Sequence, residues 1–202
     1  MNDSFRYAVY LVPPYPVSRL VMEQHQVLRK QFGLTAATQF QVHATVKGFF
    51  KMVDGPLEPL REALDGIFAL QKPFMAECSD YRIDEVGIGY DCSSIGGAKN
   101  QELYAFREKV VAAVRPFIAP ECDFAASDLG NPYEAHITLA FRDIPLSLYD
   151  DVLAYLAKGP FPEEPFLAQT FHFLAFSSDD WSGSWWETLT WRLIKSWTLS
   201  NE

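Results

Sequence analysis

The chain has 202 residues, of which 49% are hydrophobic, 15% aromatic and 21% charged; enough apolar surface is available to offset the entropy of ordering the backbone, which excludes a disordered or low-complexity protein. A net charge of −9 excludes a protein that grips long nucleic acid through its phosphates, since that needs a basic surface that releases counterions. Cys78, Cys92 and Cys122 are odd in number and lack metal-ligand spacing, so buried reduced thiols are expected, in keeping with the cytoplasm, in place of a disulfide framework or zinc site.

Met1 to Arg6 has no basic stretch leading into an apolar one, and no later apolar run approaches the roughly 20 residues of a membrane span; neither export nor a membrane is expected. Tyr7 to Val12 reads as a strand stopped by Pro13-Pro14, and Val17 to Phe32 as a helix stopped at Gly33. Phe40 to Met52 reads as a strand, followed by a helix from Leu57 to Leu70 with Leu57, Leu60, Leu64, Ile67 and Phe68 on one face. Phe74 to Ile83 and Val86 to Cys92 read as antiparallel strands about a turn at Asp84-Glu85, then a polar loop from Ser93 to Asn100 and a helix from Gln101 to Arg115. Asn131-Pro132 punctuates the entry to a strand from Ala135 to Phe141, with a helix from Leu146 to Leu156 behind it. Phe166 to Phe176 and Trp185 to Leu199 read as a C-terminal hairpin around Ser177 to Ser184, with Trp185, Leu189, Trp191, Leu193, Trp197 and Leu199 sharing parity and hence one core face.

Two of these strands carry the same tripeptide pattern, His43-Ala44-Thr45 and His136-Ile137-Thr138, each followed by a helix. This weak internal duplication divides either in the Ser93 to Asn100 loop or between Cys122 and Tyr133. Residues i and i+2 of a strand face the same way, roughly 6.6 Å apart, so each tripeptide presents one imidazole and one hydroxyl, while Val42, Ala44, Val46, Ala135, Ile137 and Leu139 supply the buried face. With the two strands adjacent, two imidazoles would confront each other across a small space. One could take a proton from water and the other protonate a leaving oxygen, each role worth roughly 10²–10⁴ in rate. The threonine hydroxyls could donate to non-bridging phosphate oxygens. That chemistry needs no metal and no cofactor.

The segments His43-Ala44-Thr45-Val46 and His136-Ile137-Thr138-Leu139 resemble the paired H-x-T/S-x motifs of the 2H phosphoesterase superfamily, which includes LigT-like RNA 2′,5′-ligases and cyclic nucleotide phosphodiesterases. The resemblance extends to the opening strand and helix and to the βα order of most of the chain. It implies an α+β fold over residues 1–202, a single bilobal domain in which two antiparallel sheets line a central groove with helices outside. It also implies that His43, Thr45, His136 and Thr138 carry the site. In many LigT-like members a basic residue follows soon after the second motif; here the next is Arg142. Arg142 and Lys47 stand at even offsets from His136 and His43, so both are expected on the groove side of regular strands as substrate-binding cations.

The leading expectation is a hydrolase acting on a 2′,3′-cyclic phosphate or 2′,5′-phosphodiester in a small nucleotide or short RNA terminus, as a monomer. A non-catalytic binder of nucleotides or RNA ends and an RNA 2′,5′-ligase are the alternatives. His172 reads as a packed or surface histidine and His25, in a polar stretch of helix, as exposed. None of the histidines has H-x-H or H-x-x-x-H spacing, which argues against a metal hydrolase. Tyr10, Phe49, Phe50 and Tyr133 could stack on a base or simply pack in the core, and Trp181, Trp185 and Trp186 crowd a turn that could serve as nucleobase platform, lid or partner-binding knob.

Overall fold

The computed structural model describes residues 5–122 and 133–201. Strand β1 (Phe5–Val12) turns Tyr7, Val9 and Leu11 to one face and Ala8 and Tyr10 to the other, all of them buried. Helix α1 (Tyr15–Phe32) ends at Gly33, whose φ of 75° lets its own N–H reach the Arg29 carbonyl and that of Leu34 the Leu28 carbonyl. A 3-10 turn (Ala36–Gln39) leads to β2 (Ala44–Phe50), α2 (Glu58–Leu70), β3 (Phe74–Ala76), β4 (Asp80–Asp84) and β5 (Gly87–Asp91). The short pair β6 (Ser94–Ile95) and β7 (Ala98–Lys99) meets at Gly96 and Gly97, both at positive φ as a tight hairpin requires. Then come α3 (Gln101–Val114), capped by the Asn100 side chain on the Leu103 N–H, β8 (His136–Phe141), α4 (Tyr149–Leu156), β9 (Phe166–Ala168), β10 (Thr170–Ser177) and β11 (Thr190–Thr198).

Seven strands form one antiparallel sheet in the order β11-β10-β1-β2-β8-β5-β4. The two sheets expected from the sequence are its halves, four strands on one side and three on the other, and they meet along β2 and β8 at one register pair, Ala44 with Ile137. The four α-helices among the described residues cover one face: Val21, Leu28, Leu60, Phe68, Phe106 and Val152 pack with Val9, Leu11, Ile88, Tyr90 and Ile137 in the main core. On the opposite face a second cluster joins Ala8, Tyr10, Phe49, Leu174, Phe176, Trp185 and Leu189. No helix among the described residues is long and apolar enough to cross a membrane. The three cysteines are buried and unbridged.

Several elements depart from the sequence expectation. The Phe40 to Met52 strand begins at Ala44, because Phe40 closes the 3-10 turn and His43 lies just ahead of the ladder. Phe74 to Ile83 splits into β3 and β4, and Phe166 to Phe176 into β9 and β10; β3 pairs with β9 in a separate ribbon. The last strand spans Thr190–Thr198, which leaves Trp185, Leu189 and Leu199 outside it, and the six apolar residues expected on one core face are divided between the two sides of the sheet. Leu193 stands opposite Leu174, but a register shift at Phe173/Leu174 sets Trp197 opposite Phe171 on the core side, where it stacks on Phe68 with ring centroids 4.0 Å apart. Trp191 and Leu193 stay 42% and 49% exposed on the groove side of this edge strand. The Asn131-Pro132 signal and most of the Cys122 to Tyr133 division lie outside the described residues.

Candidate active site

The two tripeptides are repeated in three dimensions down to their irregularities. In β2 the pairs Thr45–Tyr10 and Lys47–Val9 leave Val46 without an opposite residue in β1, and in β8 the pairs Thr138–Gly89 and Ala140–Ile88 leave Leu139 without one in β5. Each strand thus bulges at the residue after the threonine, and a bulge reverses parity. His43 and Thr45 share the groove with His136 and Thr138, as the spacing predicts, around a cavity of about 240 Å³. Beyond the bulge, however, Lys47 and Ala140 turn to the core side. Lys47 therefore does not reach the groove: it is fully buried opposite Val9, with its ammonium on the Gly48 carbonyl at 3.1 Å and 5.3 Å from the centre of the Phe50 ring. The chain returns to the cavity at Gly48 and Phe49 in one strand and at Phe141 and Arg142 in the other.

Arg142 does line the cavity, but through a turn in place of a regular strand. Its φ is 57°, its N–H donates to Val86 O at 2.7 Å, and its guanidinium lies 5.4 Å from the centre of the Trp186 ring. Phe40, Phe49, Phe141 and Trp185 form an aromatic wall, with Trp185 edge-on to Phe40 at 6.2 Å. The tryptophan turn is thus part of the groove's lining. Phe50 belongs to the core, and Tyr10 lies beneath the site, its ring stacked on His43 at 3.6 Å.

Both catalytic candidates are fixed in the same tautomer. Nδ1 of His43 lies 2.7 Å from Gln41 O, and Nδ1 of His136 lies 2.9 Å from Glu134 O. A carbonyl only accepts, so Nδ1 carries the proton in each ring and Nε2 holds the lone pair in the neutral form. Burial lowers the pKa of His43 to about 4; the bond to Gln41 O opposes it, while the neighbouring His136 and His25 push the same way as burial. Burial lowers His136 too, against the matching bond to Glu134 O; Arg82 lowers it further, and the carboxylates of Asp84 and Glu134 raise it. Arg82 bridges those two carboxylates, with Nε 2.9 Å from Glu134.

The threonine carbonyls at the two bulges are each engaged by a side chain that the sequence did not single out for this role. Tyr133 donates its hydroxyl to Thr45 O at 2.7 Å, and His25 donates its Nε2–H to Thr138 O at 3.0 Å. His25 is 7% exposed, against the expectation of a surface position. Val21, His25 and Leu28 follow i, i+4, i+7 spacing, which places all three on the buried stripe of α1 and is the signal that could have found it. Tyr133 is not free to stack on a base, since its ring packs against Tyr104 and lies under Arg107.

No protein-family model and no curated protein matches the sequence. Among solved structures, TT0787 of Thermus thermophilus aligns with a TM-score of 0.63 at 16% identity, covering 98% of this chain and 100% of its own. E. coli LigT in its complex with 3′-AMP aligns with a TM-score of 0.60 at 12% identity, covering 98% and 99%. This chain has the LigT fold. A further structure described as a phosphoesterase aligns at 0.57 with 14% identity, covering 96% and 98%. At such identities the likeness resides in the architecture, and within the LigT fold of this chain the two motifs occupy equivalent bulged positions either side of the central seam.

Proposed function

We propose that the protein is a phosphodiesterase that opens a 2′,3′-cyclic phosphate or cleaves a 2′,5′-phosphodiester in a small nucleotide or RNA end, using His43 and His136 as a general base and general acid. The observation that carries this reading is the matched pair of imidazoles with Nδ1 tied back to a carbonyl and Nε2 available to the cavity. A phosphate between them meets a hydroxyl from each strand, Thr45 and Thr138, and the Arg142 guanidinium at the cavity edge. His43 has no carboxylate among the groups acting on it and is neutral at pH 7, which suits it to take the proton of the attacking water. His136, on which Arg82, Asp84 and Glu134 all act, would then supply the proton to the leaving ribose oxygen. Water oxygen bonds to phosphorus as the ester oxygen departs protonated, so the cycle ends with the proton moved from one imidazole to the other. The aromatic wall offers surfaces for a base.

E. coli LigT has been crystallised with 3′-AMP, with ATP, with NADP+ and with phosphate, which supports a nucleotide as the ligand here. The test offers 2′,3′-cyclic nucleotides and 2′,5′-dinucleotides in the presence of EDTA, with the product identified as the 2′- or 3′-monophosphate. Absence of turnover, or turnover that survives in the His43→Ala, His136→Ala double variant, sinks the proposal.

A further inference from the structure

The two histidines match in tautomer and strand position but differ in what lies against their rings. His43 is covered by Tyr10, with ring centroids 3.6 Å apart and planes 15° from parallel. Among the described residues no aromatic ring stacks on His136, which has the charges of Arg82, Asp84 and Glu134 around it instead. Tyr10 is buried and firmly backed: it stands opposite Thr45 in β2 and His172 in β10, and its ring meets Phe176 at 5.7 Å. Of the other groups acting on His43, His136 and His25 oppose a positive ring and the Gln41 carbonyl favours one. His172, beyond Tyr10, is turned to the Gln41 side chain at 3.0 Å. A cation over an aromatic face is attracted by the ring quadrupole, most strongly where water is excluded.

We propose that Tyr10 is a positioning residue for the general base, its ring face fixing the plane of His43 and favouring the imidazolium formed when Nε2 takes the proton of water. This rests on the phosphodiesterase reading for the direction of proton transfer. It goes further in naming what makes two near-identical imidazoles unequal. The Gln41 carbonyl holds the His43 ring at Nδ1, and the stack sets the plane of the ring, so that Nε2 keeps one direction. The proton arrives on a ring with no carboxylate among the groups acting on it, and the negative face of the Tyr10 π-system takes the place of one.

The test compares Tyr10→Phe, Tyr10→Leu and a ring-fluorinated phenylalanine in place of Tyr10, which keeps the ring's shape but drains its π face, with thermal melting to verify folding. NMR titration follows the His43 ring, assigned among the 4 histidines of the chain by its absence in His43→Gln. Tyr10→Phe keeps the parental proton affinity of His43 and the upfield ring-current shift of its ring protons. The fluorinated ring lowers that proton affinity roughly three- to tenfold, the range of a desolvated cation–π contact, and kcat on a 2′,3′-cyclic nucleotide falls with it. Tyr10→Leu does the same and loses the ring-current shift as well. The proposal is overturned if the fluorinated ring leaves the proton affinity of His43 unchanged, if Tyr10→Phe lowers it as far as Tyr10→Leu does, or if kcat is unmoved by its fall. A lowered proton affinity in a protein that turns over no cyclic nucleotide leaves the hold of Tyr10 on His43 standing and removes the phosphodiesterase reading. Turnover by the parent with the same His43 proton affinity in every variant does the reverse.

Discussion

Replacing Gly89 by alanine tests whether the groove depends on the close approach of β5 to β8. A Cβ at Gly89 would stand 2.7 Å from the Ile137 carbonyl oxygen and 3.3 Å from its carbon, where ordinary contact begins at 3.4 Å. The obstacle is backbone and cannot swing aside, so β8 must retreat by about 0.7 Å, the difference between 3.4 and 2.7 Å. Ile137 lies between His136 and Thr138, so the displacement reaches both groove side chains. Misplacement on the order of 1 Å can cost about 10²-fold in rate, and overpacking of this kind costs about 1–3 kcal/mol of stability. The assay is kcat/KM on a 2′,3′-cyclic nucleotide together with a urea unfolding midpoint. Gly66→Ala serves as the control: that glycine is inside α2 with nothing within 4 Å of a new Cβ, and the change should stabilise by about 0.5–1 kcal/mol with activity intact. Parental kcat/KM in Gly89→Ala would refute the argument, whether or not stability fell.

The folded pKa of His43, about 4, lies below the roughly 6.5 of an unfolded histidine. The unfolded chain therefore binds more protons between those values, and stability falls as pH drops from about 6.5 toward 4. Denaturant titrations across that window should show a shallower pH slope in His43→Gln, and an identical slope refutes the assignment. His25→Phe should lower kcat by roughly tenfold or more through the freed Thr138 carbonyl, while His25→Gln, which restores an N–H donor, recovers part of it; equal kcat in the two variants refutes a role for the bond. Lys47→Met should leave kcat/KM within about twofold, whereas Arg142→Ala should raise KM roughly tenfold, the worth of a charge-assisted contact. The opposite ranking in steady-state kinetics would mean that the β2 bulge is wrongly placed.

What was legible in the sequence was what depends on local periodicity. The strand of Tyr7 to Val12, the face of Leu60, Leu64 and Phe68 and the His-x-Thr parity all follow from side-chain spacing, and the structure bears them out. What was not legible came from irregularities that spacing cannot carry. An extra residue at Val46 reverses Lys47, and a left-handed turn in place of a regular strand delivers Arg142. The shift at Phe173/Leu174 likewise divides Trp191 from Trp197. Such bulges are settled by how two strands meet, information held in the partner strand. His25 was hidden for a different reason: its polar neighbours Glu23, Gln24 and Gln26 suggest solvent, yet Gln24 is itself buried, accepting from the Tyr90 hydroxyl at 2.7 Å.

Ala44 and Ile137 are the one register pair between β2 and β8 among the described residues, so the polypeptide stitches the halves of the sheet together at a single point where their chemistry converges. An anion gripped by His43 and Thr45 from one side and by His136 and Thr138 from the other would act as a cross-brace over that seam. A ligand present at a hundred times its Kd adds about 2.7 kcal/mol to the folded state, and one seated here would span both halves of the sheet.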